Sequence, residues 1–379
     1  MSSGEGLNRK KSPVLTVLTL VIICLMVYSL LPLSYLMRED GQSRDNVIGF
    51  YAEEEDSLDM VYIGASSCLT FWQPLKAWHE YGFASYNFTH HTMTARTIRY
   101  YIIEALKTQK PELFVIDLRP FQYADEYNPE TGTSNLHAEY AVRNGTDNLP
   151  YFNRNRQALI RASVPAGERL SYYADIIKYH SRWIFIPFRL AEGLRTGDYG
   201  FFDMADNVKK NPYKGYYSAA RTKKLDFTDY SGVTAKRPLQ GETDALFTEL
   251  LEFCRDEGLQ VLFVVHHYPQ SEAEKELYNY MEERVRAYGL DFLNSNDDFE
   301  KIGFDFDTDM YDVNHTNVLG AEKYTAYLAD YLVTRYDLPD HRGDAAYAEW
   351  DALYEAFAEK TAAEKEELLQ RIAEEGPQE

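Results

Sequence analysis

Three residues in two short motifs carry the side chains that nucleophilic catalysis needs. Ser66 follows the apolar run 59–63 and Gly64, and Asp312 precedes His315 by three positions near the other end of the chain. A carboxylate that orients an imidazole leaves the second ring nitrogen facing a serine hydroxyl. We therefore interpret Ser66 as a nucleophile, His315 as its general base and acid, and Asp312 as the carboxylate that orients His315.

Other reactive side chains have weaker patterns. Cys68 is a second possible nucleophile, but it lies two residues from Ser66 and a buried cysteine is usually inert packing. The pairs His90-His91 and His266-His267 each follow a predicted strand, so one member of each pair can face a substrate. A serine in a turn that caps a helix remains the structural alternative for Ser66.

Composition excludes several classes of function. Three scattered cysteines and the lack of a CxxC or HExxH spacing predict neither a disulfide framework nor a zinc site, so we expect no metal and no other cofactor. The net charge of −21, from 60 acidic and 39 basic residues, argues against a nucleic-acid surface.

Short apolar runs alternate with helical patterns along most of the chain. This alternation predicts a parallel sheet with helices on both faces, a three-layer α/β/α sandwich. Ser66 would then lie at the carboxyl edge of the sheet. We expect the domain to span residues 57–340, with a large insertion over about 122–241, and an acidic helical tail to follow over 341–379, docked on the domain through an apolar stripe.

The N-terminal region has the pattern of a membrane anchor. Residues 13–37 contain no charged side chain and follow the basic cluster 9–11, which predicts a transmembrane helix with residues 1–12 in the cytoplasm. No small-residue cleavage site is present, so we expect an uncleaved single-pass anchor. Residues 38–56 are polar and acidic and are interpreted as a linker to an extracytoplasmic domain.

Two sequence blocks resemble SGNH/GDSL-like proteins of Gram-positive bacteria. The opening block is Gly64-Ala65-Ser66-Ser67 with Trp72-Gln73-Pro74-Leu75, Glu80-Tyr81-Gly82 and Ser85-Tyr86-Asn87-Phe88; the closing block is Asp312-Val313-Asn314-His315 with Gly320-Ala321-Glu322-Lys323. The resemblance covers residues 57–120 and 243–336. It implies the same roles for Ser66, Asp312 and His315, and the SGNH (flavodoxin-like) form of the sandwich.

The chain departs from the family pattern at three positions. Ala65 stands where the usual Asp precedes the serine, and Thr89 stands where a glycine supplies an oxyanion N–H, which leaves the backbone N–H of Thr89 as a candidate donor. No Gly-x-Asn-Asp follows the third strand, so the resemblance makes Arg119 or Gln122 the candidate for the donor that asparagine normally supplies. An oxyanion donor typically contributes about 3 kcal/mol, so its loss would slow catalysis without excluding it.

The resemblance also implies a function. The layout is similar to that of the membrane-anchored protein of teichoic-acid D-alanylation and of SGNH proteins that O-acetylate surface polysaccharides, which often work with a membrane-bound O-acyltransferase. We expect an acyltransferase, with acetyl as the favoured group, that acts on a cell-envelope glycan through an acyl-Ser66 intermediate. Two alternatives remain open: an esterase with the same triad, and a glycan-binding scaffold without catalysis.

Overall fold

A computed structural model describes residues 13–30, 41–125, 127–128, 133–196 and 210–376. The strands are β1 (Met60–Ile63), β2 (Ser85–Asn87), β3 (Leu113–Asp117), β4 (Tyr127–Asn128), β5 (Thr133–Ser134), β6 (Val261–Val265) and β7 (Asp291–Asn294). The helices are α1 (Pro13–Leu30), α2 (Gly41–Tyr51), α3 (Ser66–Phe71), α4 (Pro74–Tyr81), α5 (Ala95–Ala105), α6 (Arg119–Asp125), α7 (Glu139–Asp147), α8 (Arg154–Ser163), α9 (Leu170–Tyr173), α10 (Asp175–Tyr179), α11 (Ile186–Thr196), α12 (Gly241–Asp256), α13 (Glu272–Ala287), α14 (Phe299–Ile302), α15 (Val318–Arg335) and α16 (Ala348–Glu375).

A five-stranded parallel sheet forms the core, in the order β2-β1-β3-β6-β7. Strands β1, β3 and β6 are buried along their whole length, as expected for a parallel sheet covered on both faces. Strand order reverses between β1 and β3, and open α/β sheets bind ligands outside the carboxyl ends of strands at such a switch point. The predicted α/β class with a parallel sheet is confirmed.

Helices cover the sheet in groups that are compatible with the predicted three-layer arrangement. Helix α15 packs against α3 and α4, while α5 packs against α12 and α8. The crossings between successive parallel strands are supplied by α3 and α4, by α5, by the long segment that ends with α12, and by α13.

The predicted linker over 38–56 is wrong for residues 41–51, which form α2. Val47 and Phe50 are fully buried, and the Phe50 ring stacks on Phe88 with 3.9 Å between ring centroids. Buried Asn46 donates to the carbonyls of Asn87 and Thr89 at 2.7 and 2.8 Å. The segment looks polar in sequence because much of its contact with the core is made by hydrogen-bonded side chains. Residues 31–40 lie outside the described residues.

The described residues 13–30 and 167–196 belong to one compact unit. In it the structure describes α1 and the helical stretch 167–196, and the apolar side chains of residues 14–26 on α1 are exposed. No helix among the described residues reaches the length and apolar character required to cross a bilayer. The last seven positions of the predicted anchor, 31–37, fall outside the described residues.

The long crossing between β3 and β6 is more helical than its composition suggests. Helices α6, α7 and α8 belong to the larger unit, and α8 packs on α5. The partly helical character expected around 172–191 is confirmed by α9, α10 and α11, whereas the predicted loop 197–202 lies outside the described residues.

The C-terminal tail is helical and packs on the domain. Trp350 and Phe357 of α16 are buried, and the Trp350 ring lies 5.2 Å from that of Trp78 on α4. Arg371 near the end of the helix donates to the carbonyl of Ala220 at 2.9 Å. The apolar stripe of the tail is therefore used in packing within the chain.

Candidate active site

Ser66, His315 and Asp312 form a hydrogen-bonded relay. The Ser66 hydroxyl oxygen lies 2.7 Å from Nε2 of His315, and Nδ1 of His315 lies 2.9 Å from both carboxylate oxygens of Asp312. These distances fit a serine whose proton passes to Nε2 while the carboxylate fixes the Nδ1–H tautomer. The structure thus brings together the three residues that the sequence identified as candidates.

A tight turn positions His315 and Asp312. Asp312 accepts hydrogen bonds from the backbone N–H groups of Asn314 and His315 at 2.7 and 2.9 Å, and the N–H of Tyr311 donates to the carbonyl of His315. Burial raises the pKa of Asp312, but the hydrogen bond and charge of His315 together with the two backbone N–H groups outweigh it, so its pKa lies below the usual value. The carboxylate is therefore ionised when His315 acts as a base.

Close packing fixes the backbone that carries Ser66. A Cβ placed on Gly64 would lie 2.4 Å from the Cys68 sulfur and 2.5 Å from Cβ of Asp117, so no larger residue fits without displacement. Strand β1 ends at Ile63 and α3 begins at Ser66. Ser66 consequently stands at the first position of a helix, where backbone N–H groups have no acceptor within that helix.

A buried network of polar side chains packs against the turn that carries Ser66. Asp117, fully buried at the end of β3, accepts from the hydroxyl of Ser67 and the backbone N–H of Arg119, both at 3.1 Å. Its other neighbour is His266, with Nδ1 at 3.3 Å, and Nε2 of His266 lies 2.6 Å from the Tyr62 hydroxyl. Burial raises the pKa of Asp117, yet the charge and hydrogen bond of His266 and the contribution of Arg119 bring it below the usual value.

Cys68 belongs to the same buried layer and is a poor nucleophile. Burial, followed by the charge of Asp117, raises the pKa of its thiol well above the usual range. Cys68, Asp117 and His266 lie close enough together to be considered as metal ligands. A metal would require the thiolate, which this environment disfavours, and the Asp117 carboxylate already accepts two hydrogen bonds, so these residues do not fit a metal site.

Ser66 and His315 open into a cavity of about 310 Å³. This volume lies at the lower end of the range for small-molecule pockets, roughly 300–1,000 Å³. Its lining consists of Ala65, Ser66, Ser67, Thr92, Met93, Thr94, Arg119, Pro120, Tyr123, Ala124, Leu136, Tyr140, Ala141, Asn314 and His315. A second cavity of about 330 Å³ shares Arg119, Tyr123 and Asn314 with the first. The acidic residues Asp226 and Glu274 also line this second cavity.

Arg119, at the start of α6, is hydrogen-bonded to the turn 311–315 that carries Asp312 and His315. Its guanidinium donates to the backbone carbonyl and the side-chain oxygen of Asn314 at 3.2 and 2.6 Å, and it also donates to the Tyr123 hydroxyl. The Tyr123 hydroxyl in turn donates to the same side-chain oxygen of Asn314 at 2.8 Å. Asn314 directly precedes His315, so this cluster holds the imidazole at the cavity wall.

The three candidates for the oxyanion hole have different positions. Arg119 lines the cavity with Ser66, whereas Gln122 lines only the second cavity and Thr89 lines neither. The backbone N–H of Thr89 already donates to the carbonyl of Asn87 at 3.0 Å, and its hydroxyl donates to the carbonyls of Gly64 and Ala65. Thr89 therefore holds the backbone just before the nucleophile, and Arg119 is the one of the three that is placed near the reacting atoms.

The remaining histidines have structural surroundings. His267 is fully buried among the rings of Phe227, Phe304 and Phe306, and burial lowers the pKa of its imidazole from 6.5 to about 4. His90 is also fully buried and its ring contacts the backbone carbonyl of the next residue, His91. Neither His90 nor His267 lines the cavity beside Ser66.

Sequence reasoning missed the supporting residues Asp117, Tyr123 and Asn314. Asp117 had a detectable signal, because a carboxylate that ends an apolar strand at the sheet edge is rarely placed there for packing. Tyr123 and Asn314 had none, since Asn314 lies 191 positions from Tyr123 and 195 from Arg119, and only the fold brings it to them.

Comparison with known proteins leaves the family open. No protein-family model matches the chain, and no curated protein matches it.

Proposed function

We propose that this chain is a serine acyl-ester enzyme of SGNH type that transfers an acyl group, with acetyl as the favoured group, to a cell-envelope polysaccharide. The observation that carries the proposal is the relay of Ser66, His315 and Asp312, with 2.7 and 2.9 Å between successive atoms, at the wall of a cavity. A serine positioned in this way by a base and an orienting carboxylate is the arrangement that activates a hydroxyl for attack on an ester.

In the first step the Ser66 oxygen attacks the carbonyl carbon of the donor ester while its proton moves to Nε2 of His315. The tetrahedral intermediate collapses when His315 returns that proton to the leaving alkoxide, and an acyl-Ser66 ester remains. Asp312 stays ionised throughout and stabilises the imidazolium, in keeping with its lowered pKa.

Charge that develops on the carbonyl oxygen needs donors beside Ser66. The backbone N–H of Ser66 is the first candidate, because it begins α3 and has no acceptor within that helix. Arg119 is the second, since its buried guanidinium lines the same cavity and always carries a positive charge.

In the second step a sugar hydroxyl attacks acyl-Ser66, gives its proton to His315, and leaves with the acyl group while Ser66 regains a proton. Two features support a polymer acceptor: the resemblance to polysaccharide-modifying relatives, and the second cavity beyond Arg119, where the polar side chains of Gln122, Asp226 and Glu274 suit a hydroxyl-rich neighbour of the acceptor sugar. We also propose, from the uncharged stretch 13–37 that follows the basic cluster 9–11, that this stretch anchors the domain outside the cytoplasmic membrane, with a membrane-bound O-acyltransferase as donor partner.

Hydrolysis by the same relay is the alternative. Ser66 and His315 are both partly exposed, so water reaches the acyl-enzyme whenever no acceptor fills the cavity. A well-placed sugar hydroxyl nevertheless has an effective concentration of about 10⁵ M or more relative to a free reactant. Transfer should therefore outcompete hydrolysis when the natural glycan is bound.

The experiment measures how the acyl-enzyme divides between the two acceptors. The full chain in detergent is incubated with an activated acetyl ester and isolated envelope glycans, and O-acetylated glycan is compared with free acetate. We expect glycan to divert most of the acetyl group, and Ser66→Ala to abolish both products. Acetate release that no glycan fraction diverts would favour an esterase, and activity absent with every donor would favour the scaffold.

A further inference from the structure

Four buried apolar side chains line the cavity that contains Ser66. Met93, Ala124, Leu136 and Ala141 line it, and each is at most 5% exposed. They come from the loop before α5, from α6, from the turn before α7 and from α7 itself. Side chains of this kind bind aliphatic carbon and offer no hydrogen bond to a polar acyl substituent.

The permanent charge that lines this cavity is positive. Among the described lining residues, Arg119 carries the only permanent charge, and no carboxylate belongs to the lining. The carboxylate of Asp312 accepts hydrogen bonds from His315 and from two backbone N–H groups, and that of Asp117 accepts from Ser67 and from the backbone N–H of Arg119. Asp226 and Glu274 line the second cavity and do not line this one. An ammonium group on the acyl chain would therefore share the cavity with Arg119, and no carboxylate among the described lining residues would contact it.

We propose that the acyl group carried by Ser66 is a short, uncharged aliphatic chain, and that the site discriminates against aminoacyl groups. This inference rests on the proposed acyl-Ser66 chemistry. The cavity volume of about 310 Å³ sets the upper size, because the same space must hold the ester carbonyl and part of the leaving group. The resemblance favours acetyl, whereas the apolar lining favours chains longer than acetyl, up to about four carbons, because they bury more apolar surface.

The first experiment compares activated esters that differ only in the acyl group. The full chain in detergent is assayed with p-nitrophenyl acetate, butyrate and octanoate, and with the matched pair isobutyrate and D-alanyl ester, in which a methyl group replaces the ammonium. Rates are divided by those of hydroxide-catalysed hydrolysis to remove intrinsic reactivity. Because each buried methylene adds a favourable transfer term, kcat/KM should rise about tenfold from acetate to butyrate and fall for octanoate.

The isobutyryl and D-alanyl esters separate the effect of the ammonium charge from that of acyl size. At pH 6, where the amine is mostly protonated, the isobutyryl ester should exceed the D-alanyl ester by about 100-fold in corrected kcat/KM, because burial of an unpaired ammonium is unfavourable. Raising the pH to 9 neutralises the amine and should narrow the difference. Equal rates at pH 6, or a flat profile from acetate to octanoate, would overturn the inference.

Two variants test whether the named residues set this preference. Met93→Glu places a carboxylate in the cavity and should reduce the discrimination against the D-alanyl ester at least about tenfold, whereas the neutral control Met93→Gln should not. Ala141→Leu makes the cavity smaller without adding a charge, and it should shift the preference from butyrate toward acetate. This variant keeps the test decisive if Met93→Glu does not fold. Unchanged profiles in folded Met93→Glu and Ala141→Leu would contradict the assignment.

Failure of this inference is distinguishable from failure of the proposed function. Labelling of Ser66 by a small fluorophosphonate reports an active nucleophile whatever the acyl preference. A chain that is labelled and hydrolyses esters without preference would refute only the acyl assignment. A chain that is neither labelled nor active would refute the proposed chemistry and the acyl assignment with it.

Discussion

His315 Nε2 lies 2.7 Å from the Ser66 hydroxyl oxygen although 249 positions separate the two residues in the chain. Their contact depends on two distant turns, one after β1 and one before α15, which the sheet brings to the same edge. Any substitution that shifts either turn should therefore reduce acyl transfer without removing a catalytic group.

Asp312→Asn should keep the fold and lose most of the activity. The amide fits the same space but stabilises the wrong imidazole tautomer, so kcat should fall by about 10⁴-fold, as in serine enzymes of this type. Initial rates with p-nitrophenyl acetate provide the measurement. Asp307→Asn is the control, because Asp307 pairs with exposed Lys224 away from the relay. Retention of more than a tenth of wild-type activity in Asp312→Asn would contradict the role of Asp312.

Gly64→Ala should be far more damaging than its size suggests. The added methyl group would meet Cβ of Asp117 and the Cys68 sulfur well inside contact distance, so the turn that carries Ser66 must move. Overpacking of this kind typically costs about 1–3 kcal/mol, and the rate should fall further because a displaced serine no longer reaches His315. Thermal unfolding and esterase rates measure the two effects.

Gly232→Ala is the matched control for this change, because a Cβ at Gly232 meets no atom within 4 Å and its backbone needs no left-handed conformation. Equal stability and activity of the two variants would show that the packing beneath Ser66 is looser than described.

His267 should make stability depend on pH. Its folded-state pKa of about 4 lies below the ordinary 6.5, so the unfolded chain binds the proton first. The contribution of neutral, buried His267 to the free energy of unfolding is therefore fully present above pH 6.5. It is lost as the pH falls from 6.5 to about 4, and the free energy of unfolding decreases by about 3 kcal/mol in total. His267→Phe, which matches the surrounding phenylalanine rings, should flatten this part of the curve in denaturant unfolding. An unchanged slope between pH 6.5 and 4 would contradict it.

Membrane topology can be tested independently of catalysis. We expect Val313, which is 50% exposed beside the relay, to lie outside the cell. In a background with Cys24→Ala, a Val313→Cys variant should react with an impermeant maleimide in intact cells, while Ser3→Cys should react only after lysis. Labelling of both sites before lysis, or of neither, would contradict the proposed orientation.

The sequence predicted that Ser66, Asp312 and His315 would come together because each belongs to a short local motif. Asp312 and His315 sit three positions apart on one turn, and Ser66 follows a buried strand, so local pattern and sheet topology were enough to place them at one edge. The α/β class followed from the alternation of short apolar runs with helical patterns. These are the features for which a residue's neighbours in sequence are also its neighbours in space.

Residues whose role depends on distant partners were harder to assign. Thr89 was expected to donate its backbone N–H to an oxyanion, but that N–H donates to Asn87. Helix α2 was expected to be a linker because buried Asn46 and Ser43 make it look polar, and only their partners in the folded chain explain their burial. The role of Asp117 beneath the turn that carries Ser66 could be assigned only once the structure showed its contacts with Ser67 and His266.

The central claim is that Ser66 is the activated nucleophile, and covalent labelling tests it most directly. The full chain in detergent is treated with a fluorophosphonate, digested, and the modified residue is identified by mass spectrometry. We expect modification at Ser66, with Ser66→Ala unlabelled, His315→Gln labelled at least about 100-fold more slowly, and Ser67→Ala still labelled. Modification at Ser67 or Cys68, or none at all in a folded chain, would contradict the account.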